Sequence, residues 1–503
     1  RAAQLAYFAV MMKARQYDRR FFSRGIQPHV YAVVESNHVD KFAVDYFCNG
    51  NAKLTAAMDT IIKELHDAKE YGSILTVTPQ DWSVLYDRFA EITEDINMSR
   101  ETALRELLPL VQVAEALAKK YDAVVTNPPY LGSDAMGIML SSYVKKKYSR
   151  CKADMFAVFI EHCGQMLKSY GYQAMITMQN WMFLSSFESL REYLVNNKII
   201  INMCHLGTRA FEEIGGEIVQ TVAWVSKNGY LSYKGQYNRL VEFSSQDEKE
   251  SAFLSGDNRY IASQKNFTII PGAPIAYWIS TGFKKIFENG EQITQYVSSR
   301  DGLTTGNNEL FIKQFWEVPY THIKFACKDS ETFWASGKKF APLIKGGLYR
   351  KWYGNNWFVI TYDKAGYEKL SNCGNKLPSR EIYFLPYMTW NRISTRMAFR
   401  FCEQGYLFES ASLVAYATSK DNLMYALAFA NSVVARSEMQ LINPTTNMLS
   451  GYVDSLRIPF QSVKERTITL AIECVDFAKD DWNSFETSWD FQHHPLLRKV
   501  PTI

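Results

Sequence analysis

The segment YDAVVTNPPY (residues 121–130) is the feature that most restricts how this chain can fold. Residues 123–126 have the composition of a buried strand, and Pro128 and Pro129 follow almost at once. Proline has no backbone N–H and a fixed φ, so it cannot continue a central strand. The chain must therefore leave the sheet in a stiff, extended segment that holds Asn127 at the carboxyl end of the strand. In open α/β sheets this edge is where ligands bind.

Strand and helix patterns alternate after this segment. The sequence predicts a helix over 153–171, a strand over 172–178, a helix over 187–197 and strands over 199–207 and 219–229. Gly171 is predicted to end the first of these helices. This alternation is typical of α/β proteins, and we expect an α/β fold with a mainly parallel sheet.

Composition excludes several other classes of protein. No apolar stretch reaches the roughly 18 residues that a membrane-spanning helix needs, so we expect a cytoplasmic protein without a membrane partner. The eight cysteines are scattered without a CxxC pair, which indicates free thiols and no zinc site. His493 and His494 have no partner at metal-ligand spacing, and no metal is expected. The net charge is only +4, so any nucleic-acid surface must be a local basic patch.

The side chains of residues 127–130 suit the binding of an amino group on a planar base. The Asn127 side-chain oxygen and the Pro128 carbonyl can each accept one N–H of such a group, while Pro129 keeps the segment stiff. Tyr130 offers a flat face on which the base can stack. The alternative interpretation is a rigid turn after an edge strand, with no chemistry attached.

Asn127-Pro128-Pro129-Tyr130 resembles the [D/N/S]-P-P-[Y/F/W] tetrad of S-adenosylmethionine-dependent amino-methyltransferases, chiefly the DNA adenine-N6 enzymes. The resemblance implies that these four residues are catalytic and that the fold is a Rossmann-like methyltransferase sheet. The blocks ADMFAVFIEHCGQMLKSYGYQAMITMQNWMFLSSFESLREYLV and HLGTRAFEEIGGEIVQTVAWV are similar to later blocks of the same family. Phe211 matches the aromatic residue that packs against the flipped target base. Its alternative is an ordinary core position.

The C-terminal half extends the resemblance to a narrower group. SSRDGLTTGNNELFI, KGGLYRKWYGNNW, MTWNRIS and LINPTTNMLSGYVDSLRIPF are similar to the large adenine methyltransferases of BREX phage-resistance systems and their type IIG restriction-modification relatives. Double-stranded DNA, together with other defence-system proteins, is the partner that this resemblance implies. The family's chains extend beyond both ends of this one.

Basic and aromatic residues are interleaved in the second half of the chain, as expected of a DNA-contacting surface. Candidate DNA-binding residues are Lys345, Arg350, Lys351, Asn391 and Arg392, and the last two are of types that read adenine and guanine. The alternative is a solvated charged face over an aromatic core.

We expect four segments along the chain. These are a partial methyltransferase catalytic domain over 1–235, a polar linker over 236–270, an α/β target-recognition domain over 271–460, and a linker or helical segment over 461–503.

The cofactor loop of the family is missing from the sequence. In the family, RAAQLA (1–6) follows the acidic residue that binds the cofactor ribose, and a Gly-rich loop precedes that residue. We therefore expect an N-terminally incomplete sheet and a fragment that is itself inactive. Two alternatives remain open at this point: a DNA-specificity module with an inert catalytic remnant, and an amino-methyltransferase that acts on RNA or on protein glutamine.

Overall fold

The computed structural model describes residues 1–211, 219–229, 232–372, 377–443, 445–459 and 463–497. The chain divides into two compact units. Unit 1 comprises Arg1–Trp181 and Ser186–Gln264, and unit 2 comprises Met182–Ser185 and Lys265–Ile503. None of the helices in the described residues is long and apolar enough to cross a membrane.

Unit 1 combines helices with a six-stranded sheet. Its helices are α1 Ala2–Tyr17, α2 Lys41–Cys48, α3 Ala52–Glu64, α4 Ala68–Tyr71, α5 Trp82–Thr93, α6 Met98–Ala118, α7 Ile138–Lys147, α8 Met155–Gln165, α9 Glu188–Asn197 and α10 Gln246–Ser255. Its strands are β1 Tyr121–Thr126, β2 Leu167–Met178, β3 Lys198–Gly207, β4 Thr221–Asn228, β5 Lys234–Arg239 and β6 Arg259–Ser263.

The strand order of this sheet is β1-β2-β4-β3-β5-β6. β1 pairs with β2 in parallel, and so does β3 with β5, whereas β4 is antiparallel to both β2 and β3, and β6 to β5. The prediction of a mainly parallel sheet is therefore wrong, because β4 lies between β2 and β3 and runs antiparallel to both. The alternation of helices and strands predicts β1, β2 and β3 correctly, since the crossovers through α7, α8 and α9 leave these strands pointing the same way.

The predicted helix over 153–171 is too long. α8 ends at Gln165 and β2 begins at Leu167, so Gly171 lies inside a strand. A Cβ atom on Gly171 would lie 3.0 Å from the Asp122 carbonyl oxygen and 3.1 Å from that of Tyr121. Glycine is needed here because the backbone of β2 approaches β1 closely where their register shifts.

The segment predicted as a linker, 236–270, is largely part of unit 1. It contains most of β5, all of α10 and β6, and its polar residues have structural roles. The Ser245 side chain caps α10 by accepting from the Glu248 N–H. Lys249 is buried, and its ammonium group donates to the carbonyls of Leu206, Leu240 and Phe243 at 2.7–2.8 Å. A polar, turn-rich composition indicates a linker only when the polar side chains are exposed to water. Here they cap a helix or are buried, so the segment is folded.

The helices before β1 form a core of their own. The buried faces of α2, α3, α5 and α6 pack together around Phe47, Met58 and Leu107. α1 contributes no buried residue, and Leu5 and Phe8 on it are 69% and 63% exposed.

Unit 2 is a mixed α/β unit, as predicted for this half of the chain. Its helices are α11 Thr281–Asn289, α12 Asn308–Phe311, α13 Ser330–Ala335, α14 Lys364–Asn372, α15 Lys420–Ala430, α16 Val433–Ile442, α17 Ser450–Asp454 and α18 Lys464–Trp482. Its strands are β7 Glu291–Gln292, β8 Ser298–Arg300, β9 Ile312–Gln314, β10 Phe340–Ile344, β11 Phe358–Thr361, β12 Tyr387–Asn391, β13 Phe399–Cys402, β14 Leu407–Phe408, β15 Ser412–Tyr416 and β16 Arg457–Ile458.

Two four-stranded sheets organise unit 2, in the orders β14-β10-β11-β9 and β13-β12-β15-β8. The second sheet packs with α15 around Trp390, Phe399 and Leu427, which are fully buried. α18 belongs to the same core through Ala471, Val475 and Trp482. The segment 461–503, predicted as a linker or helical segment, is therefore helical over α18, and this helix is an integral part of unit 2.

Candidate functional site

The carboxyl end of β1 presents the predicted tetrad. Pro128 is buried and Asn127 is exposed, so the prolines turn the chain out of the sheet and leave the Asn127 amide facing outward. The Tyr130 hydroxyl lies 3.3 Å from Asn127 Oδ1 and 3.4 Å from the Ile176 carbonyl oxygen on the neighbouring strand β2. The hydroxyl therefore ties the two ends of the tetrad to each other and to the sheet. Because a carbonyl oxygen has two lone pairs, Asn127 Oδ1 keeps one for a ligand.

An aromatic cluster supports Tyr130 from below. The Tyr130 ring meets the buried Phe156 edge-on, with centroids 6.2 Å apart and an interplanar angle of 89°. Phe156 in turn packs on Phe187 at 5.5 Å. Tyr130 itself remains 36% exposed, and partial burial raises the pKa of its hydroxyl. The ring is thus neutral, packed against Phe156 and still partly accessible.

Asp154 holds the segment that follows the tetrad. Its Oδ1 accepts from the Leu131 N–H at 3.1 Å and from the Phe156 N–H at 3.2 Å. The backbone reinforces this link, since Met155 N–H donates to the Leu131 carbonyl at 3.0 Å. Asp154 is also the N-cap of α8, and burial raises the pKa of its carboxyl group. One carboxylate therefore fixes both the exit from the tetrad and the start of the helix below Tyr130.

A series of hydrogen-bonded polar side chains joins the ends of β2 and β3 to the start of β4. His205 Nε2 lies 2.7 Å from Gln179 Oε1, and Gln179 Nε2 donates to Gln220 Oε1. Burial lowers the pKa of His205 to about 3, so this imidazole is neutral at pH 7. The three side chains link the carboxyl ends of β2 and β3 to the residue just before β4. The sequence analysis missed this series, as it missed Asp154, because its members are far apart along the sequence.

Phe211 follows β3 after three residues and is half-buried. The segment after it, residues 212–218, lies outside the described residues. The predicted contact of Phe211 with a target base stays a prediction.

In unit 2, the side chains of two predicted DNA-binding residues, Arg350 and Lys351, bind other groups of the protein. The Arg350 guanidinium pairs with Asp481 and lies over the Trp482 ring at 5.1 Å. Lys351 Nζ donates to the Asn431 carbonyl at 2.7 Å, and burial lowers the pKa of its ammonium group. Both side chains attach the loop between β10 and β11 to the helices of unit 2.

The other three predicted residues lie around the same loop. Lys345 is half-buried, with its ammonium group 5.5 Å from the centre of the Phe358 ring. The Asn391 amide donates to the Gly347 carbonyl at 2.7 Å and accepts from Arg400 at 3.1 Å. Arg392 has an exposed side chain. Among the five, Arg392 is the one that the structure leaves most accessible.

Comparison with known proteins first shows similarity to restriction-modification methylases. Residues 1–211 match the family model of the Eco57I restriction-modification methylase. The type II restriction enzyme and methyltransferase RM.Eco57I of Escherichia coli is 31% identical over 38% of this chain and 19% of its own length.

More extensive similarity involves two named methyltransferases. The chain is 36% identical to the adenine-specific methyltransferase PglX of Lacticaseibacillus casei (strain Zhang), over 99% of its length. It is 35% identical, also over 99% of its length, to the adenine-specific methyltransferase BrxX of Escherichia coli O9:H4 (strain HS). The chain is a homologue of these adenine-specific methyltransferases, and the resemblance stated from the sequence is confirmed. It spans 43% of the length of each of the two relatives.

Among solved structures, a nuclease-deletion mutant of the Type ISP restriction-modification enzyme LlaGI, in complex with a DNA substrate mimic, aligns with 94% of this chain and 50% of its own. The identity is 12% and the TM-score is 0.45, which is too low to define a common fold.

Proposed function

We propose that the full-length protein is a site-specific DNA methyltransferase that uses S-adenosylmethionine to methylate adenine N6, within a phage-defence or restriction-modification system. Homology to PglX and BrxX supports the reaction class. The observation that carries the proposal is the pairing of an exposed Asn127 amide with a fixed Tyr130 ring at the carboxyl end of β1.

The tetrad positions the target nitrogen. An adenine that has left the duplex stacks on the exposed face of Tyr130, and its N6 hydrogens meet the free lone pair of Asn127 Oδ1 and the Pro128 carbonyl oxygen. With both hydrogens bound, the nitrogen lone pair is drawn out of conjugation with the ring and is available to an electrophile. A strong base is not required, because orientation supplies much of the rate.

The described residues do not supply a complete cradle for S-adenosylmethionine. Such a cradle needs a Gly-rich turn between a strand and a helix, where the backbone can approach the ligand. Among the described strand ends of unit 1, Gly207 at the end of β3 and Gly229 directly after β4 have positive φ, of 68° and 114°. A Cβ atom on Gly207 would lie 3.0 Å from the Val241 side chain, and one on Gly229 would lie 3.4 Å from the Tyr170 ring, so the space beside both glycines is already filled by protein.

We expect the 503-residue chain by itself to bind S-adenosylmethionine weakly, with a dissociation constant above roughly 1 mM, which corresponds to about −4 kcal/mol. Calorimetric titration of the purified chain measures this affinity. The full-length protein is the matched control and should bind far more tightly. Micromolar binding by the chain alone would reveal a cofactor site that the described residues do not show.

Unit 2 is proposed as the target-recognition domain, with duplex DNA as its ligand, over the predicted range 271–460 and including α18. Exposed basic and aromatic side chains near the loop between β10 and β11 support this assignment. An inert DNA-specificity module and a methyltransferase for RNA or protein glutamine are the competing functions.

These functions are separated by substrate. The full-length protein is incubated with labelled S-adenosylmethionine and duplex DNA, structured RNA or a glutamine-containing peptide in parallel. We expect label in DNA alone, on adenine. Binding of DNA without any transfer of label would favour the inert module, and label in RNA or peptide would replace the proposed substrate.

A further inference from the structure

We define the three-loop surface of unit 2 as residues 345–351, 391–397 and 445–449, which hydrogen bonds join to one another. The first segment begins the loop between β10 and β11, the second includes the loop between β12 and β13, and the third lies between α16 and α17. We propose that this surface reads the sequence of duplex DNA, with Arg392, Arg396, Leu348 and Ile393 as its contacting residues. This inference rests on the proposed function, since it assigns residues to target recognition.

Backbone hydrogen bonds lock the second segment to the third. The Ser394 N–H donates to the Thr446 carbonyl at 2.9 Å, and the Met448 N–H donates to the Arg392 carbonyl at 2.7 Å. Ile393 and Asn447 form an antiparallel bridge between these bonds. The two segments therefore pair as a short ribbon, and Ile393 lies at its centre.

Side chains lock the second segment to the first. Asn391 donates to the Gly347 carbonyl while Arg400, which is buried, holds the other end of the same amide. The Arg396 guanidinium lies 5.7 Å from the centre of the Tyr349 ring. Asn355, also buried, donates to the Leu348 carbonyl at 2.9 Å. The loop tips thus have fixed positions, which recognition requires.

The three-loop surface exposes apolar side chains. Leu348 is 76% exposed, Ile393 is 74% exposed and Tyr349 is 50% exposed. Exposed apolar side chains that lie together mark binding surfaces, whereas apolar residues scattered singly are ordinary on protein surfaces. These three lie on loop segments that are hydrogen-bonded to each other. In protein–DNA complexes such residues contact thymine methyl groups or wedge between base steps.

The charge of the surface selects a polyanion as the occupant. The stretches 338–361 and 386–402 contain no Asp or Glu, and Arg392 and Arg396 are exposed within the second. Arginine is the residue best suited to bind guanine O6 and N7 or a phosphate. Arg350 and Lys351, by contrast, have their side chains committed to Asp481 and to the Asn431 carbonyl. Polar contacts with DNA therefore belong to Arg392 and Arg396.

The test uses the full-length protein and a duplex that carries its methylation motif, identified by modified-base sequencing of DNA from cells that express it. Binding is measured by fluorescence anisotropy over a range of salt concentrations. For the double variant Arg392→Ala with Arg396→Ala, we expect about a tenfold or greater loss of affinity and a salt slope lower by about 1–2. Arg466→Ala, an exposed arginine of α18, is the matched control and should bind like the wild type.

The exposed apolar residues Leu348 and Ile393 are tested by a different measurement, the ratio of motif to non-motif binding. Leu348→Ala and Ile393→Ala should lower the ratio of motif to non-motif binding by about 5-fold or more, since each mismatch-like loss costs roughly 1–3 kcal/mol, and should leave the salt slope unchanged. Thermal melting confirms that each variant is folded, as expected for exposed side chains.

Two results would overturn the inference and leave the proposed function intact: motif binding of all these variants equal to that of Arg466→Ala, or preference of the surface for RNA over duplex DNA in competition while DNA methylation persists. Failure of the wild-type protein to bind or methylate any duplex would instead contradict the proposed function.

Discussion

Replacing Asn127 with alanine in the full-length protein is expected to abolish DNA methylation. Asn127 Oδ1 is the side-chain acceptor at the carboxyl end of β1, and Tyr130 already fixes its orientation. Alanine removes the acceptor, so the target nitrogen keeps its conjugation with the ring. Loss of one preorganised polar contact at a reacting centre typically costs about 10²–10³ in rate. Single-turnover transfer of labelled methyl groups to duplex DNA measures this change.

Binding of DNA by this variant should remain close to that of the wild type, because the proposed contact of Asn127 with DNA is confined to the flipped base. Asn127→Asp, which keeps an acceptor in the same place, should retain more activity than Asn127→Ala. Asn196→Ala, on the exposed surface of α9, is the matched control. Unchanged transfer rates in Asn127→Ala would remove the tetrad from the mechanism.

Replacing Asp154 with alanine is expected to reduce methylation by about 10²-fold, although Asp154 does not contact the base. Its carboxylate holds the Leu131 and Phe156 N–H groups together, and thereby fixes the position of Tyr130 relative to the ring beneath it. A displacement of about 1 Å near a reacting centre is enough for a loss of this size. Loss of the N-cap also lowers stability by about 0.5–2 kcal/mol.

Asp154→Asn separates the hydrogen bonds of Asp154 from its negative charge. The asparagine oxygen can still accept from the same backbone groups, so activity should recover largely in this variant. We expect kcat to fall in Asp154→Ala while KM for DNA changes little, measured below the melting temperature of the variant. Equal loss in both variants would assign the effect to charge, and a wild-type kcat in Asp154→Ala would show that the link to Leu131 has no part in positioning.

The sequence predicts the site where local chemistry determines the structure. Two prolines after a strand can end it in few ways, and β1 indeed ends at Thr126 with Asn127 exposed. The expected burial of this strand is wrong, because β1 lies at the edge of the sheet and Val125 on it is 76% exposed. The class of the protein followed from the same tetrad and from the blocks around it. Short-range rules are sufficient for such features, since all the atoms involved lie within a few residues.

Long-range pairing lies beyond these rules. The insertion of β4 between β2 and β3 and the approach of Gly171 to β1 depend on contacts between distant segments. Arg350 illustrates the same limit, since its sequence neighbours suggest a DNA contact and its partner, Asp481, lies far along the chain. A basic residue beside aromatics is equally typical of a binding surface and of a structural ion pair, and only the fold distinguishes them.

The most direct test of the central claim is modified-base sequencing of DNA from cells that express the full-length protein, compared with cells that express the Asn127→Ala variant. The account predicts N6-methyladenine at one position of a single short motif in the first sample and none at that motif in the second. Methylation of cytosine in place of adenine, or the same pattern in both samples, would contradict it.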